Sequence, residues 1–365
     1  MGLAILGLGT ALPETAIRQA ESVEVTRRVC RLEGSAATFV DELFHHTTIR
    51  QRYSVLDRQV VDDMLQGTRL SDSPFLMEKE TPGPGPTTAQ RMQEYVRTTP
   101  GLARSASQRA LAQAGVPPVE ITHLVTVSCT GFSAPGWDIA LIQGLGMQPT
   151  VQRTHIGFMG CHGALNGLRV AKAFVEAETT ARVLVCAVEA CSLHYQYEGT
   201  PKELIANALF ADGAAALVGR HLPEAPWNVR GCGSCLVPNS ARAMTWSIGD
   251  HGFTMTLSSQ VPELIRQHLR PWLQTWLATF RMDLAAIPSW AIHPGGPRIL
   301  DAVEDALGLP RAATRVSRQL LEACGNMSSP TILFLLEQLR REHAPLPCVA
   351  LGFGPGLVIE AALLG

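Results

Sequence analysis

A glycine-rich stretch near the middle of the chain, residues 157–169, reads GFMGCHGALNGLR. An extended apolar run precedes it at residues 150–156, and a helical pattern follows it at residues 164–178. Glycines on both sides of Cys161 allow a sharp turn of the backbone and a close approach of small groups. The stretch therefore predicts a strand, a tight turn and a helix, with Cys161 at or near the N-terminus of the helix.

Cys161 has the sequence surroundings of a nucleophile. At a helix N-terminus the unpaired N–H groups and the helix dipole favour a thiolate, so we expect a lowered pKa for this thiol. A thiolate is the nucleophile that covalent acyl transfer needs. The alternative interpretation is a structural cysteine, because free cysteines are often buried.

The composition predicts a globular protein with a large core. The chain has 365 residues, of which 46% are hydrophobic and 17% charged, and its formal net charge is −2. This length exceeds one ordinary domain, so we expect two domains or one fused double unit. The near-neutral charge and the lack of a long basic run argue against a nucleic-acid partner. Nine scattered cysteines predict no disulfide framework and favour a reducing, cytoplasmic compartment.

Neither end of the chain is predicted to enter a membrane. Residues 1–7 are apolar but lack the basic start of a signal peptide, so they predict a buried strand. Residues 349–365 are also apolar, but they are interrupted by GFGPG and contain Glu360, which favours two strands joined by a turn. The sequence therefore predicts no stable membrane insertion.

Strands and helices are predicted to alternate along the chain, which is typical of an α/β fold with buried sheets. Apolar runs predict strands at 3–9, 123–128, 150–156, 182–188, 229–235 and 252–257. Helical patterns cover 16–32, 36–46, 103–114, 164–178, 261–280, 298–306 and 330–342. Residues 71–87 predict a loop, after which a helix resumes at Thr88. Residues 221–228 predict a linker, so we divide the chain into two halves, residues 1–222 and 223–365.

Three residues in separate segments have the chemistry of one catalytic site. Cys161, His293 and Asn326 each follow a strand or lie in a loop, beside glycines. Nucleophilic sites are assembled in space, so their separation in sequence is no objection. A histidine can hold a thiolate as an ion pair, and a histidine or an asparagine amide can donate hydrogen bonds to an oxyanion. Taken singly, a histidine or asparagine in a loop is more often structural.

Over nearly its whole length the chain resembles the type III polyketide synthases, the chalcone-synthase family of the thiolase superfamily. Five motifs carry the resemblance: GCHG at 160–163, ALFADG at 208–213, HPGGP at 293–297, GNMSS at 325–329 and GFGPGL at 352–357. The resemblance implies an α/β, thiolase-like five-layer αβαβα fold built from two related halves, and a homodimer. The half formed by 1–222 would contain the nucleophilic cysteine, and the half formed by 223–365 would contain the catalytic histidine and asparagine.

The resemblance also implies roles for individual residues. The catalytic triad falls on Cys161, His293 and Asn326. Seven residues fall on positions of the substrate cavity: Phe210, Met255, Trp246, Cys191, His194, Ser328 and Ala134. Among them, Phe210 matches a gating phenylalanine of the family, and Met255 stands where plant enzymes usually have a second gating phenylalanine. Trp246 replaces a glycine of the family's cavity. Ala134 stands where plant enzymes have a methionine that crosses the dimer interface. Arg50 and Arg52 fall near the positions at which members of the family have basic residues that bind the phosphates of coenzyme A.

The implied reaction is a decarboxylative condensation. The Cys161 thiolate would take an acyl group from an acyl-coenzyme A starter, and malonyl-coenzyme A would then extend it before a ring closes. No metal or organic cofactor is implied. The flexible Met255 and the small Ala134 and Ser328 favour a fatty acyl starter and a pyrone or resorcinol product, whereas the indole of Trp246 would shorten the polyketide.

Two other functions remain open from the sequence. An initiating β-ketoacyl-acyl-carrier-protein synthase has the same triad on the same fold and would use malonyl-carrier protein. An acyl-binding protein of the thiolase fold would hold acyl chains without turnover. A lone CxxC, Cys232 to Cys235, does not predict a metal site, because no second pair occurs at zinc spacing.

Overall fold

The computed structural model describes residues 2–76 and 83–365, and its helices and strands alternate along both halves of the chain. The strands are β1 (Leu3–Ala11), β2 (Thr15–Arg18), β3 (Gln51–Ser54), β4 (His123–Ser128), β5 (Gln152–Gly157), β6 (Arg182–Ala190), β7 (Asp212–His221), β8 (Asn228–Leu236), β9 (Met244–Gly249), β10 (Gly252–Leu257), β11 (Ser289–Ile292), β12 (Cys348–Gly354) and β13 (Val358–Leu364). The helices are α1 (Gln19–Val29), α2 (Gly34–His46), α3 (Arg58–Gln66), α4 (Thr88–Ala114), α5 (Trp137–Leu145), α6 (Gly163–Ala177), α7 (Pro201–Leu209), α8 (Val261–Ala278), α9 (Pro297–Leu307), α10 (Arg315–Cys324) and α11 (Thr331–Arg341).

Nine strands form one hydrogen-bonded sheet in the order β11-β12-β13-β8-β1-β7-β6-β4-β5. The two halves of the chain meet where β1 pairs antiparallel with β8, at Leu3 with Val229 and Ala4 with Asn228. In the first half β4 runs parallel to β5 and β6, and in the second half β11 runs parallel to β12. Every residue of β4 and β12 is buried, as expected for strands covered by helices on both faces.

Helices cover both faces of each half of the sheet, which gives five layers. Side chains alternate between the faces of a strand, so Val183 and Val185 of β6 join a central core with α6 and α11, while Leu184 joins an outer core with α4 and α5. In β12, Ala350 faces the same central core, while Leu351 faces a second outer core with α8 and α9. The predicted thiolase-like αβαβα fold is therefore confirmed.

Most predicted elements are present, with a few differences in extent. The helix predicted at 103–114 and the one resuming at Thr88 are a single helix, α4, which continues through Pro100. The pattern at 16–32 comprises the end of β2 followed by α1. The sequence analysis did not predict β3, β9, α3, α7 or α10. Of the loop predicted at 71–87, residues 77–82 lie outside the described part of the chain.

None of the helices in the part of the chain that the structure describes is long and apolar enough to cross a membrane.

Candidate active site

Cys161 lies in a single 3-10 turn, Gly160–His162, between β5 and the first residue of α6. Gly160 has a φ of +77°, and a Cβ atom added there would lie 2.3 Å from the Cδ atom of Pro355. Only glycine fits this conformation and this space. The predicted strand, turn and helix are thus present, and the side chain of Cys161 is 7% exposed.

The GFGPG motif packs directly against this turn. A Cβ atom at Gly354 would lie 2.4 Å from Cδ2 of His162 and 2.8 Å from the carbonyl oxygen of Met159. The missing side chain at Gly354 therefore lets the end of β12 contact the residues on either side of Cys161. This contact explains, in physical terms, why two motifs nearly two hundred residues apart in sequence belong to one site.

The close contact at Gly354 gives a testable prediction. We expect Gly354→Ala to destabilise the protein by about 1–3 kcal/mol and to slow alkylation of Cys161 by iodoacetamide, because the turn must shift to admit the methyl group. Thermal unfolding and intact-protein mass spectrometry measure the two effects. Gly101→Ala is the matched control, since nothing lies within 4 Å of a Cβ atom there and alanine is favoured within helix α4. Equal behaviour of the two variants would contradict the packing role of Gly354.

Asn326 is held beside Phe210 by the backbone and beside Cys161 by its side chain. Its N–H donates to the carbonyl of Leu209 and its carbonyl accepts from the N–H of Ala211, both at 2.9 Å. Its Oδ1 accepts from the N–H of Ser328 at 2.8 Å, which directs the amide nitrogen the other way. The side chain also lies close enough to Cys161 to lower the pKa of its thiol.

His293 follows the end of β11, in a segment that Asn326 contacts. Asn326 connects the two segments, because its Nδ2 donates to the carbonyl of Gly295 at 3.4 Å. The imidazole is 1% exposed, and among the described residues neither of its nitrogens has a hydrogen-bond partner. Burial, together with the nearby His162, lowers the pKa of His293 to about 3. A neutral imidazole with two unpartnered nitrogens is equipped to accept one proton and to donate another.

The ionisation of Cys161 differs from the sequence-based expectation. Burial raises the pKa of its thiol to about 11, and hydrogen bonds from Ser328 and Asn326 offset only part of this effect. The negative charge of Glu189 raises the pKa further. The expected lowering at a helix N-terminus is therefore wrong for this structure, because desolvation outweighs the turn and its hydrogen bonds. The cysteine is a thiol at neutral pH, so it needs a base to become a nucleophile.

Glu189 is a site residue to which the sequence analysis assigned no role. It is fully buried at the end of β6 and accepts hydrogen bonds from the N–H of Cys129 at 3.0 and 3.1 Å, from Thr130 Oγ1 at 2.6 Å and from Ser329. Burial raises the pKa of its carboxyl above the usual value, and these hydrogen bonds offset only part of that rise. The available sequence signal was an acidic residue directly after a fully apolar strand.

Five of the seven predicted cavity residues surround one cavity of about 80 Å³: Phe210, Met255, Trp246, Cys191 and His194. Cys191 lies close enough to Cys161 for their charges to interact, so this end of the cavity adjoins the nucleophile. The cavity continues between apolar side chains of α1 and α3 and the segment before residue 77: Val25, Val29, Val61, Met64 and Phe75. Its walls therefore suit an apolar chain that begins near Cys161.

The other two predicted cavity residues lie elsewhere. Ser328 lies close enough to Cys161 to lower the pKa of its thiol, and its Oγ lies 3.4 Å from Sγ of Cys129. Ala134 lines a separate surface pocket together with Phe132 and Arg153. Neither is among the residues that line the 80 Å³ cavity.

Two cavity aromatics are fixed by polar contacts. The indole N–H of Trp246 donates to the carbonyl of Cys129 at 2.7 Å, and Trp246 pairs with Met255 across the β9–β10 hairpin. His194 donates from Nε2 to the carbonyl of Thr130 at 2.6 Å, and its Nδ1 accepts from the N–H of Phe253 at 3.0 Å. Burial lowers the pKa of His194 to about 3, so it is a neutral support rather than a charged group.

Phe253 is a cavity residue that the sequence analysis overlooked. Its ring stacks on His194 with centroids 4.0 Å apart and lies 5.8 Å from Trp246. It precedes Met255 by two residues, so both point to the same side of β10. This alternation was the signal in the sequence, but it could be used only once residues 252–257 had been paired with a strand.

Comparison with known proteins agrees with this geometry. The family model for the N-terminal domain of chalcone and stilbene synthases matches residues 2–221, and the model for the C-terminal domain matches residues 229–365. The chain belongs to the chalcone and stilbene synthase family. Type III polyketide synthase 21 of Oryza sativa subsp. japonica is 31% identical over 99% of this chain and 92% of its own length. This chain is thus an enzyme of the type III polyketide synthase family.

Other members of the family are similar over the whole chain. The alpha-pyrone synthesis polyketide synthase-like Pks18 of Mycobacterium tuberculosis is 29% identical over 98% of this chain and 90% of its own length. Probable polyketide synthase 1 of Dictyostelium discoideum is 27% identical over 99% of this chain, which spans only 11% of that protein. The crystal structure of PKS-I from the brown alga Ectocarpus siliculosus has a TM-score of 0.91 at 29% identity and covers 100% of this chain and 98% of that one.

The two arginines predicted to bind coenzyme A occupy different environments. Arg50 lies at the surface with its side chain 83% exposed, 2.5 Å from Glu322. Arg52 is 6% exposed and donates to the carbonyl of Asn207 at 2.9 Å and to Oε1 of Gln19 at 2.7 Å. The guanidinium of Arg52 faces the interior in this structure, and its placement at a phosphate site stays a prediction. Arg50 keeps the surface position that a phosphate contact requires.

Proposed function

We propose that this enzyme condenses a fatty acyl-coenzyme A starter with malonyl-coenzyme A and cyclises the product to a pyrone, a resorcinol or a related ring. The single observation that carries the proposal is the mostly apolar cavity lined by Cys191, which lies near Cys161, by Met255 and by side chains of α1 and α3. Membership of the type III polyketide synthase family supplies the reaction class. We also propose Cys161, His293 and Asn326 as the catalytic triad.

In the first step, the enzyme would acylate Cys161. The thiol loses its proton to the neutral His293, and the sulfur attacks the thioester carbon of the starter. The oxyanion that forms accepts a hydrogen bond from the amide of Asn326. When the intermediate collapses, coenzyme A leaves and takes the proton back from His293. A thiol needs a base to become a nucleophile, and the unpartnered nitrogens of the buried His293 support this assignment.

In the second step, malonyl-coenzyme A would extend the acyl chain. His293 and Asn326 donate hydrogen bonds to its thioester carbonyl, so that carbon dioxide leaves and an enolate remains. The enolate carbon attacks the acyl carbon on Cys161 and releases the Cys161 sulfur. The carbanion comes from loss of carbon dioxide, so we propose that this chemistry uses no metal or organic cofactor and that the two thioesters are its only substrates.

The cavity supports a long and flexible starter. Its volume of about 80 Å³ is below the range of roughly 300–1,000 Å³ for ligand sites, so side chains must move to admit a chain. Met255 and Met64 are unbranched and can move at low cost. Each buried methylene would contribute about 0.8 kcal/mol, which offsets that movement. The name of the relative Pks18 includes alpha-pyrone synthesis, in line with a pyrone product.

The starter assignment gives a prediction at Met255. We expect wild-type kcat/KM to be higher for lauroyl-coenzyme A than for coumaroyl-coenzyme A. Met255→Phe should lower kcat/KM for lauroyl-coenzyme A selectively, by roughly tenfold, because a rigid ring replaces a flexible side chain in the cavity wall. Competition kinetics measure both values, and the coumaroyl thioester is the internal control. A higher kcat/KM for the aromatic starter in the wild-type enzyme would refute the fatty acyl assignment.

The function as a whole is tested by product analysis. Short, aromatic and long-chain acyl-coenzyme A starters are each incubated with malonyl-coenzyme A, and the products are identified by mass spectrometry. Ring products from the long-chain starters support the proposal. Condensation only with malonyl-carrier protein would favour an initiating β-ketoacyl synthase, and no release of carbon dioxide would favour an acyl-binding protein.

We further propose a homodimer and a cytoplasmic location. β5 is an edge strand of the sheet with an exposed side, and Phe132 and Met159 beside it are 55% and 46% exposed. An unpaired edge with apolar neighbours favours pairing with a second copy, which would bring Ala134 to the interface. Analytical ultracentrifugation tests the proposed dimer.

All nine cysteines lie in the described part of the chain and are free, which supports a reducing compartment. Residues 1–222 and 223–365 remain our proposed halves, supported by family models that meet between residues 221 and 229.

A further inference from the structure

One point on the wall of the acyl cavity is polar and incompletely bonded. Arg52 of β3 and Ser22 of α1 both line the cavity, and they are 6% and 7% exposed. Among residues 2–76 and 83–365, Nε of Arg52 and Oγ of Ser22 have no hydrogen-bond partner. Buried polar atoms are nearly always paired, so two unpaired atoms on one cavity require an explanation.

The charge of Arg52 is also uncompensated. A guanidinium has five N–H donors, and here its two terminal nitrogens meet the neutral carbonyl of Asn207 and the neutral Oε1 of Gln19. Its central carbon lies 5.3 Å from the centre of the Phe44 ring, which adds attraction but no counter-charge. Within the described residues, no carboxylate forms an ion pair with it. A buried cation without a counter-ion is costly, and a bound anion would relieve that cost.

A carboxylate is the anion that fits the position. Val25, Val29 and Val61 on the same wall are apolar, which suits the methylene chain of an acyl group, and the guanidinium fork matches a carboxylate in shape. Glu203 also lines the cavity; its carboxylate accepts a hydrogen bond from the N–H of Thr200 at 3.0 Å. The hydroxyl of Ser22 can donate to a second oxygen of the same group. A chain attached to Cys161 at one end would then reach Arg52 with the other.

We propose that Arg52 and Ser22 form a subsite for a carboxylate at the far end of the starter chain. The preferred starters are then mono-coenzyme A thioesters of long dicarboxylic acids rather than simple fatty acyl thioesters. The inference rests on the proposed function, since it uses the same acylation of Cys161. The distal carboxylate is bound and takes no part in bond formation.

Matched pairs of starters test the subsite. Thioesters of the dicarboxylic acids from hexanedioic to hexadecanedioic acid are each compared with the monocarboxylic thioester of equal length, with malonyl-coenzyme A as extender. Because Arg52 lies at a fixed distance from Cys161, the ratio of kcat/KM for diacid over monoacid peaks at one chain length. At that length the diacid is preferred at least about tenfold, the range of a charged hydrogen bond. The monomethyl ester of the same diacid loses the preference, because it has the shape without the charge.

Variants assign the preference to these residues. Arg52→Gln cancels the diacid preference at the peak length, Arg52→Lys keeps part of it, and Ser22→Ala lowers the ratio without removing a partner from any other group. Arg340→Gln is the control, since Arg340 is also partly buried and donates to the carbonyls of Ile5 and Leu6, outside the cavity. Its diacid ratio stays at the wild-type value. Should Arg52→Gln fail to fold, Ser22→Ala and the methyl ester decide the question.

The possible outcomes are distinct. A monoacid preference at every length, a methyl ester as good as the diacid, or a preserved ratio in Arg52→Gln would each overturn the carboxylate subsite while leaving the condensation intact. If neither series of starters acquires malonyl-derived units, the proposed function itself is wrong and the subsite proposal is overturned with it.

Discussion

Cys161→Ala is expected to abolish both the covalent acyl adduct and the condensation product. Cys129 and Cys191 lie close to Cys161, but burial raises the pKa of both thiols far above the usual range, and neither replaces the sulfur at the start of α6. Intact-protein mass spectrometry after incubation with an acyl-coenzyme A measures the adduct. The variant should keep part of its decarboxylation of malonyl-coenzyme A, because forming the enolate does not use the thiol.

A matched control separates the nucleophile from other thiols. Cys235 lies on β8, is partly exposed and is not among the residues that line the acyl cavity, so Cys235→Ala should acquire the acyl group as the wild-type protein does. An adduct that persists in Cys161→Ala but disappears in Cys235→Ala would refute our assignment of the nucleophile.

His293→Ala and Asn326→Ala should each slow decarboxylation of malonyl-coenzyme A by a factor on the order of 10² to 10³. Each removes one hydrogen-bond donor to the developing enolate oxygen, and this is the usual effect of losing one such donor. Release of carbon dioxide measures the rate without requiring condensation. Wild-type rates in both variants would show that the two residues have other roles.

Two further variants make this test specific. Asn326→Asp retains an oxygen to accept the hydrogen bond from the N–H of Ser328 but lacks the amide donors, so it should be as slow as Asn326→Ala while its fold is preserved. His45→Ala removes an exposed histidine of α2 and should decarboxylate at the wild-type rate. A fast Asn326→Asp variant would mean that Asn326 acts through the position of Ser328 rather than as a donor.

The sequence by itself determined the features that depend on local geometry. The turn around Cys161 was predictable because Gly160 must adopt a positive φ and because strand and helix patterns flank it. The alternation of strand and helix patterns likewise predicted the α/β class. Each pattern is a short repeat of apolar residues, so it depends only on residues close together in the chain. The motifs containing His293 and Asn326 placed one residue after a strand and the other in a loop, and the structure has His293 after β11 and Asn326 between α10 and α11.

The tertiary structure decided every property that depends on burial by distant segments. Arg50 and Arg52 are two residues apart on one short stretch, yet one faces water and the other the cavity, because β2, α1 and α7 cover only the second. The pKa of Cys161 follows the same rule: its helix terminus is local, but the burial and the charge of Glu189 that raise the pKa come from distant segments of the chain. The positions of Glu189 and Phe253 in the site likewise depend on packing between distant segments of the chain. Desolvation sums over all neighbouring atoms, so it becomes known only when the chain is folded.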